Sequence, residues 1–318
     1  MDATKSKIGS VNEQYVKKTK NKFMTALKKN IHFYILLLPA IIITFVFVYL
    51  PMPWILISFQ DFDILKGMGG SEWVGLANFK EIIKMPALLS AVLNTLNLNV
   101  LSLAIGFPLP IILALLINEM KNGIYKRSIQ TISYMPHFLS WISVIAIAYN
   151  IFSAEGPINE FRMKLGAEEP ILYMAKQGFF IYNYLILMIW KDIGWNSIIY
   201  LAAITGVDQQ LYEAAKLDGA NRFKQVIHIT LPCILPTAMI LLILNLGNMF
   251  ASNFELVYGL QNPYIDYDVI STLIFKNGIQ DTKYSLGTAI SLLQGVIAFI
   301  LVAVSNKISK KISGIAIW

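Results

Sequence analysis

The chain has 318 residues, of which 56% are hydrophobic and 14% charged, and its mean hydropathy is +0.58. A soluble domain carries about 45–50% apolar and about 25% charged residues, so a water-soluble globule is excluded. The net charge of +7 would suit a nucleic-acid binder on its sum alone, whereas the single cysteine, Cys233, excludes an intrachain disulfide framework, a four-cysteine metal site and iron–sulfur ligation.

Residues 1–30 read as a basic tail in which eight lysines stand against Asp2 and Glu13. The apolar run behind it, 33–59, is longer than the roughly 7–15 residues of a secretory signal core and has no small-residue cleavage site. It predicts a first membrane span kinked by Pro51 and Pro53. A second span, 88–117, contains Asn94, Asn97, Asn99, Gly106, Pro108 and Pro110, a pattern that suits a helix packed among helices. Further spans are predicted at 131–152, 179–204, 235–250 and 286–305. Six spans of about 20 residues use roughly 120 residues. The rest of 31–318 then serves one all-α transmembrane domain, with no room for a second catalytic domain.

The charges follow the membrane. Connections 60–87, 153–178 and 251–284 are net acidic, 119–129 and the two termini are net basic, and 205–230 is neutral. By the positive-inside rule both termini face the cytoplasm and the acidic loops face out. The basic balance is thus an orientation signal and requires no nucleic acid.

The neutral connection does not read as an ordinary loop. Asp208 can cap a helix with a narrow apolar stripe of Leu211, Ala214, Ala215 and Leu217, and Asp218-Gly219 offers a left-handed stop. A second helix is predicted from Asn221 to Ile229, with Phe223, Val226 and Ile227 on one side, ending at Leu231-Pro232. Two small-residue helices around a glycine turn form either a knob suited to a cleft in another protein or an interfacial link between two spans.

The spacing of Glu213-Ala214-Ala215, Gly219 and Ile229-x-Leu231-Pro232 resembles the EAA loop of binding-protein-dependent ABC importer permeases, the type I importer fold of the maltose system. Leu38-Pro39-Ala40, Ser58-Phe59-Gln60-Asp61-Phe62, Trp73-Val74-Gly75-Leu76, Asn94-Thr95-Leu96 and Trp190-Lys191-Asp192-Ile193-Gly194-Trp195-Asn196 resemble the carbohydrate branch of that family. The resemblance implies that the coupling loop 208–232 docks in a groove of a cytoplasmic ATPase subunit. Glu213 would meet basic or backbone donors there, Ala214 and Ala215 would allow close approach, Leu217 and Asp218 would belong to the same coupling surface, Gly219 would make the turn and Phe223 would anchor the second helix. The family often has proline shortly before the Glu-Ala-Ala helix, where this chain has Asp208-Gln209-Gln210.

The same resemblance implies a second, different permease subunit, two ATPase subunits, an extracytoplasmic binding protein and an oligosaccharide or polysaccharide fragment as cargo, at a bacterial plasma membrane. The sequence has no G-x-x-x-x-G-K-[ST] phosphate loop, so ATP and Mg are expected on the partners and no cofactor on this chain. Binding protein is expected to deliver cargo to the acidic outer loops, above all 251–284.

Polar groups within spans are costly and mark pathway or packing residues. Aromatic rings beside hydrogen-bonding groups suit sugar, which makes Trp190, Lys191, Trp195 and Asn196 of the fourth span and Asn245 and Asn248 of the fifth the candidate pathway residues. His32, His137 and His228 are too dispersed to suggest a metal cluster. An ion-coupled secondary transporter would require paired acidic residues deep in the spans, and only Asp192 lies deep. An intramembrane enzyme would require a nucleophile–His or paired-Asp constellation, which the spans lack.

Overall fold

The computed structural model describes residues 29–247, 249 and 252–313. Asn248 and the tail up to Lys28 lie outside them. By their contacts the residues fall into two units that divide between Leu56 and Ile57.

The first unit contains α1 (Ile31–Thr44), followed by a π-turn at Phe45–Tyr49. The wide turn lets Leu50 N–H reach back to Phe45 O immediately before Pro51, which has no N–H of its own to contribute. Neither α1 nor the π-turn buries a side chain within the unit. The helical stretch Ile31–Phe59 is long and apolar enough to cross a membrane.

In the second unit a two-strand hairpin, β1 (Gln60–Asp61) with β2 (Glu72–Trp73), leads to α2 (Ala77–Lys84). Then α3 (Pro86–Gly106) and α4 (Pro108–Glu119) form one candidate span, interrupted at Phe107 because Pro108 and Pro110 occupy the first turn of α4.

The predicted third span is corrected. It begins earlier, as α5 (Ile124–Tyr134), tightens into a 3₁₀ turn at Met135–Phe138, and bends by 106° before α6 (Trp141–Ile151). Pro136 removes a helix donor, and Ser140 caps the new helix by accepting from Ser143 N–H at 3.2 Å.

After α7 (Pro157–Lys164), α8 (Phe180–Thr205) runs without interruption. It is followed by α9 (Gln209–Leu217), α10 (Arg222–Gln225), a π-turn at Val226–Thr230, and α11 (Leu231–Gly247). The expected stop at Leu231-Pro232 is absent. Arg222–Gly247 is one helical stretch, in place of the span predicted at 235–250. Leu231 N–H bonds to Val226 O, five residues back, and this π-turn admits Pro232 without ending the helix.

The remaining elements are α12 (Phe254–Leu260), α13 (Ile270–Phe275) and the last span within α14 (Tyr284–Ser313). Five helical stretches can cross a membrane by length and composition, and the bent α5–α6 pair brings the number to six.

The unit packs around three apolar clusters. Leu98, Val144, Phe180, Leu256 and Val269 anchor the first, and Ile82, Ala91, Ile270 and Ile290 the second. Ala114, Tyr200, Ile204 and Ile234 anchor the third. Lipid is as apolar as leucine, so close fit and small residues hold such helices together. A Cβ on Gly194 of α8 would lie 1.9 Å from Ser133 O of α5, and one on Gly287 of α14 would lie 2.6 Å from Gly278 Cα.

Candidate functional site

More than three turns of α8 organise the polar interior. Tyr184, Met188, Asp192 and Asn196 recur at four-residue spacing on one face. They line a cavity of about 340 Å³ closed by Asn99 of α3, Tyr200 of α8, Asn245 of α11, and Asn253. Asn99 Nδ2 donates to Met249 O at 2.8 Å, Asn245 Nδ2 to Leu241 O on its own helix at 2.9 Å, and Asn253 caps α12 by accepting from Leu256 N–H. The wall therefore presents amides, hydroxyls and one carboxylate between aliphatic and aromatic surfaces.

Of the sequence candidates, Asn196 and Asn245 line this cavity, whereas Trp190, Lys191 and Trp195 do not. Lys191 and Trp195 instead hold the break in the third span. Lys191, only 6% exposed, donates from Nζ to His137 O and Leu139 O at 2.5 and 2.7 Å, carbonyls that the 3₁₀ turn leaves without helical partners. Its ammonium also lies 5.2 Å from the Trp141 ring centroid. Trp195 stacks on the His137 ring with centroids 4.5 Å apart and planes 3° apart, and His137 Nδ1 is 2.9 Å from Asp192 Oδ1. A buried ammonium satisfied by carbonyls explains why a lysine is tolerated inside a span.

Sequence reasoning missed Tyr184, Tyr200, Asn253 and the lining role of Asp192. The four-residue rhythm of polar and aromatic side chains through the fourth span was the available signal for three of them.

The asparagines of α3 tie the 252–283 segment down: Asn94 Nδ2 donates to Asp268 O at 2.9 Å, and Asn97 Nδ2 to the Tyr267 hydroxyl at 3.4 Å. This segment, expected to be an acidic receiving loop, is largely folded into the bundle. Asp268 accepts from Gln261, Thr272 and Lys276, each at 2.9 Å. Burial raises its carboxyl, but those hydrogen bonds and the Lys276 charge outweigh burial and leave its pKa below the ordinary 3.8.

The helix-turn-helix is built by its caps. Asp208 Oδ1 accepts from Gln210 N–H at 3.0 Å, and Asn221 Oδ1 from Lys224 N–H at 2.9 Å. Gly219, at φ +77°, closes α9 in a Schellman arrangement, with Gly219 N–H on Lys216 O and Ala220 N–H on Ala215 O. The element is fixed to its surroundings by Tyr212 with Thr230 and by Arg222 with Glu119 at the end of α4. Glu213, Ala214 and Asp218 are exposed and Ala215 half-buried, while Leu217 is 90% and Phe223 72% exposed. Large apolar side chains held that far out on a capped, rigid element form a surface suited to a protein partner.

A bundle of broken and continuous spans around a polar cavity, with a rigid apolar knob on the helix that lines it, is the architecture of a multi-pass membrane permease. The profile of the family described as "Binding-protein-dependent transport system inner membrane component" matches residues 106–312, and the chain belongs to that family. It is 39% identical to the polygalacturonan/rhamnogalacturonan transport system permease protein YteP of Bacillus subtilis (strain 168), covering 93% of each chain. It is also 41% identical to protein LplB of the same organism, over 91% of this chain and 92% of LplB. A chain in the crystal structure of a bacterial ABC transporter involved in the import of the acidic polysaccharide alginate superposes with a TM-score of 0.84 at 35% identity, covering 92% of this chain and 99% of that one. The protein is a membrane subunit of an ABC importer, the family being the permease component of such transporters.

Proposed function

We propose that this chain forms one half of the translocation pathway for an oligosaccharide or polysaccharide fragment in an ATP-driven importer. The observation that carries this reading is the cavity: amides and hydroxyls at Asn99, Tyr184, Asn196 and Asn245 suit sugar hydroxyls, and the rings and aliphatic walls suit sugar faces. The named cargoes of the polygalacturonan/rhamnogalacturonan and alginate systems support a carbohydrate, and the alginate transporter bound to a pentasaccharide-loaded periplasmic protein supports delivery by a binding protein.

The remaining partners are a second permease, different from this one, and two cytoplasmic ATPase subunits. Glu213, Ala214, Ala215, Leu217 and Phe223 would seat in an ATPase groove, so that closure of the ATPases on ATP moves 208–232 and the spans behind it. ATP and Mg would bind those partners. Both termini and this element would face the cytoplasm.

The test is uptake of labelled oligosaccharide into proteoliposomes holding the assembled importer. Uptake is expected only with both internal ATP and external binding protein, and Gly219→Pro is expected to abolish it and to release the ATPase subunits. Uptake that persists without ATP would instead identify an ion-coupled carrier, and unchanged uptake in Gly219→Pro would remove the coupling assignment.

A further inference from the structure

Among the described residues the cavity lining carries one carboxylate and no lysine, arginine or histidine. Asp192 lines it, with Oδ1 held by His137 Nδ1 at 2.9 Å and no other hydrogen-bond partner among the described residues. No lysine, arginine or histidine lines the cavity among the described residues, and the sequence supplies none at 248–251. Lys191, one residue from Asp192, is committed to the carbonyls of His137 and Leu139.

We propose that this cavity takes uncharged sugar units and that Asp192 is its specificity-determining residue. The inference rests on the carbohydrate reading above and names the class of sugar admitted on this chain's side of the pathway. A carboxylate is acceptor-only, with room for several hydrogen bonds, so the open Oδ2 can receive two neighbouring hydroxyls of a neutral ring. The stack of His137 on Trp195 fixes the plane of the imidazole and thereby the orientation of the carboxylate. A uronic-acid carboxylate in the same place would lose water, meet no lysine or arginine in the lining and approach the Asp192 carboxylate, whose one partner among the described residues is the His137 imidazole on its Oδ1, which is discrimination by repulsion. This differs from what the acidic cargoes named for the similar transporters would suggest. An acidic fragment carried by this importer must therefore find its counter-charge outside this chain's cavity.

The experiment uses the complete importer, both permeases with their ATPases, in lipid nanodiscs without binding protein. The two probes are trigalacturonate and its fully methyl-esterified, uncharged form, which share length and linkage. The wild type is expected to bind the ester at least about tenfold more tightly than the acid, the scale of one close like-charge contact at partial screening. Asp192→Asn is expected to bring the ratio within about threefold by removing that contact.

Asn245→Lys, at a site that otherwise bonds only its own helix, supplies a cation and is expected to invert the preference. It carries the test independently if Asp192→Asn does not assemble. Equal or tighter binding of the acid by the wild type overturns the proposal, as does an ester preference that neither substitution changes. Binding of neither probe, together with ATP hydrolysis that no saccharide-loaded binding protein stimulates, removes the carbohydrate reading itself.

Discussion

Segments 208–223 and 252–283 are both connections between spans, and both are built from two short helices, three of the four capped by asparagine or aspartate and α13 closed by Thr272 reaching back to Val269 N–H. They dispose of their apolar residues in opposite ways. The 252–283 segment turns Leu256, Val257, Leu260, Ile270 and Leu273 into the bundle, whereas α9 buries no residue and leaves Leu217 outside together with Phe223 of α10. The first is a stopper finished by its own protein. The second has the caps and turn of a finished element and the surface of an unfinished one, and that contrast, more than length, charge or hydropathy, is what sets the segment proposed to dock apart from a structural connection.

The sharpest way to break the contrast is to cut into the stopper. Leu256→Ala removes a side chain of 0% exposure and is expected to cost about 2–5 kcal/mol, read as a lowered thermal midpoint of the purified permease complex. Gly287→Ala places a Cβ 2.6 Å from Gly278 Cα, where α14 meets the end of the same segment. Overpacking of about 1–3 kcal/mol is expected in the same assay.

Asp268→Asn should cost about 1–2 kcal/mol through its charged hydrogen bonds. Because the folded carboxyl titrates below 3.8, its contribution is complete above that value and is lost as pH falls through the lowered folded value. Acid melts of wild type and variant should therefore converge at the bottom of that window, and curves that stay parallel would contradict the assignment.

On the other side of the comparison, Gly219→Ala forces a side chain into φ +77° and should cost about 1 kcal/mol. Leu217→Ala and Phe223→Ala should change the midpoint by less than about 0.5 kcal/mol, as exposed positions do, while weakening recovery of the ATPase subunits on an affinity column. Loss of stability in Leu217→Ala comparable to that in Leu256→Ala would erase the distinction between the two segments.

Much of this architecture is legible in the sequence because bilayer thickness imposes a length on every span. The second, fourth and sixth spans fall close to their apolar runs, and Asp208, Gly219 and Asn221 mark helix ends through local chemistry that needs no tertiary information. The 106° break after Pro136 is less legible, since a proline inside a membrane helix is compatible with a kink or with a continuous rod. Pro232 shows the opposite outcome, absorbed by a π-turn.

The Trp190–Asn196 motif was only half readable. Its polar character is visible, but the partners of Lys191 are backbone carbonyls, which every residue has, so nothing in the sequence distinguishes a clamp from a sugar contact. Asn196 and Asn245 were legible as polar groups in spans. Tyr184 and Tyr200 share the face of α8 that carries Asn196, a rhythm visible in the sequence, whereas Asn253 joins them only through packing of helices distant in the chain.

The uninterrupted helix Arg222–Gly247 gives the molecule a mechanical property. Its 26 residues span about 39 Å at 1.5 Å per residue. Phe223 stands near one end and the cavity wall at Leu241 and Asn245 near the other. A stiff rod of that length works as a lever, for which a tilt of about 10° about one end gives a stroke of about 7 Å at the other. Had Pro232 ended the helix, force applied at the knob would have dissipated in a flexible joint. With the π-turn in its place, a small rotation at one surface becomes a displacement larger than a sugar hydroxyl contact at the cavity, without any signal having to pass through a chain of side chains.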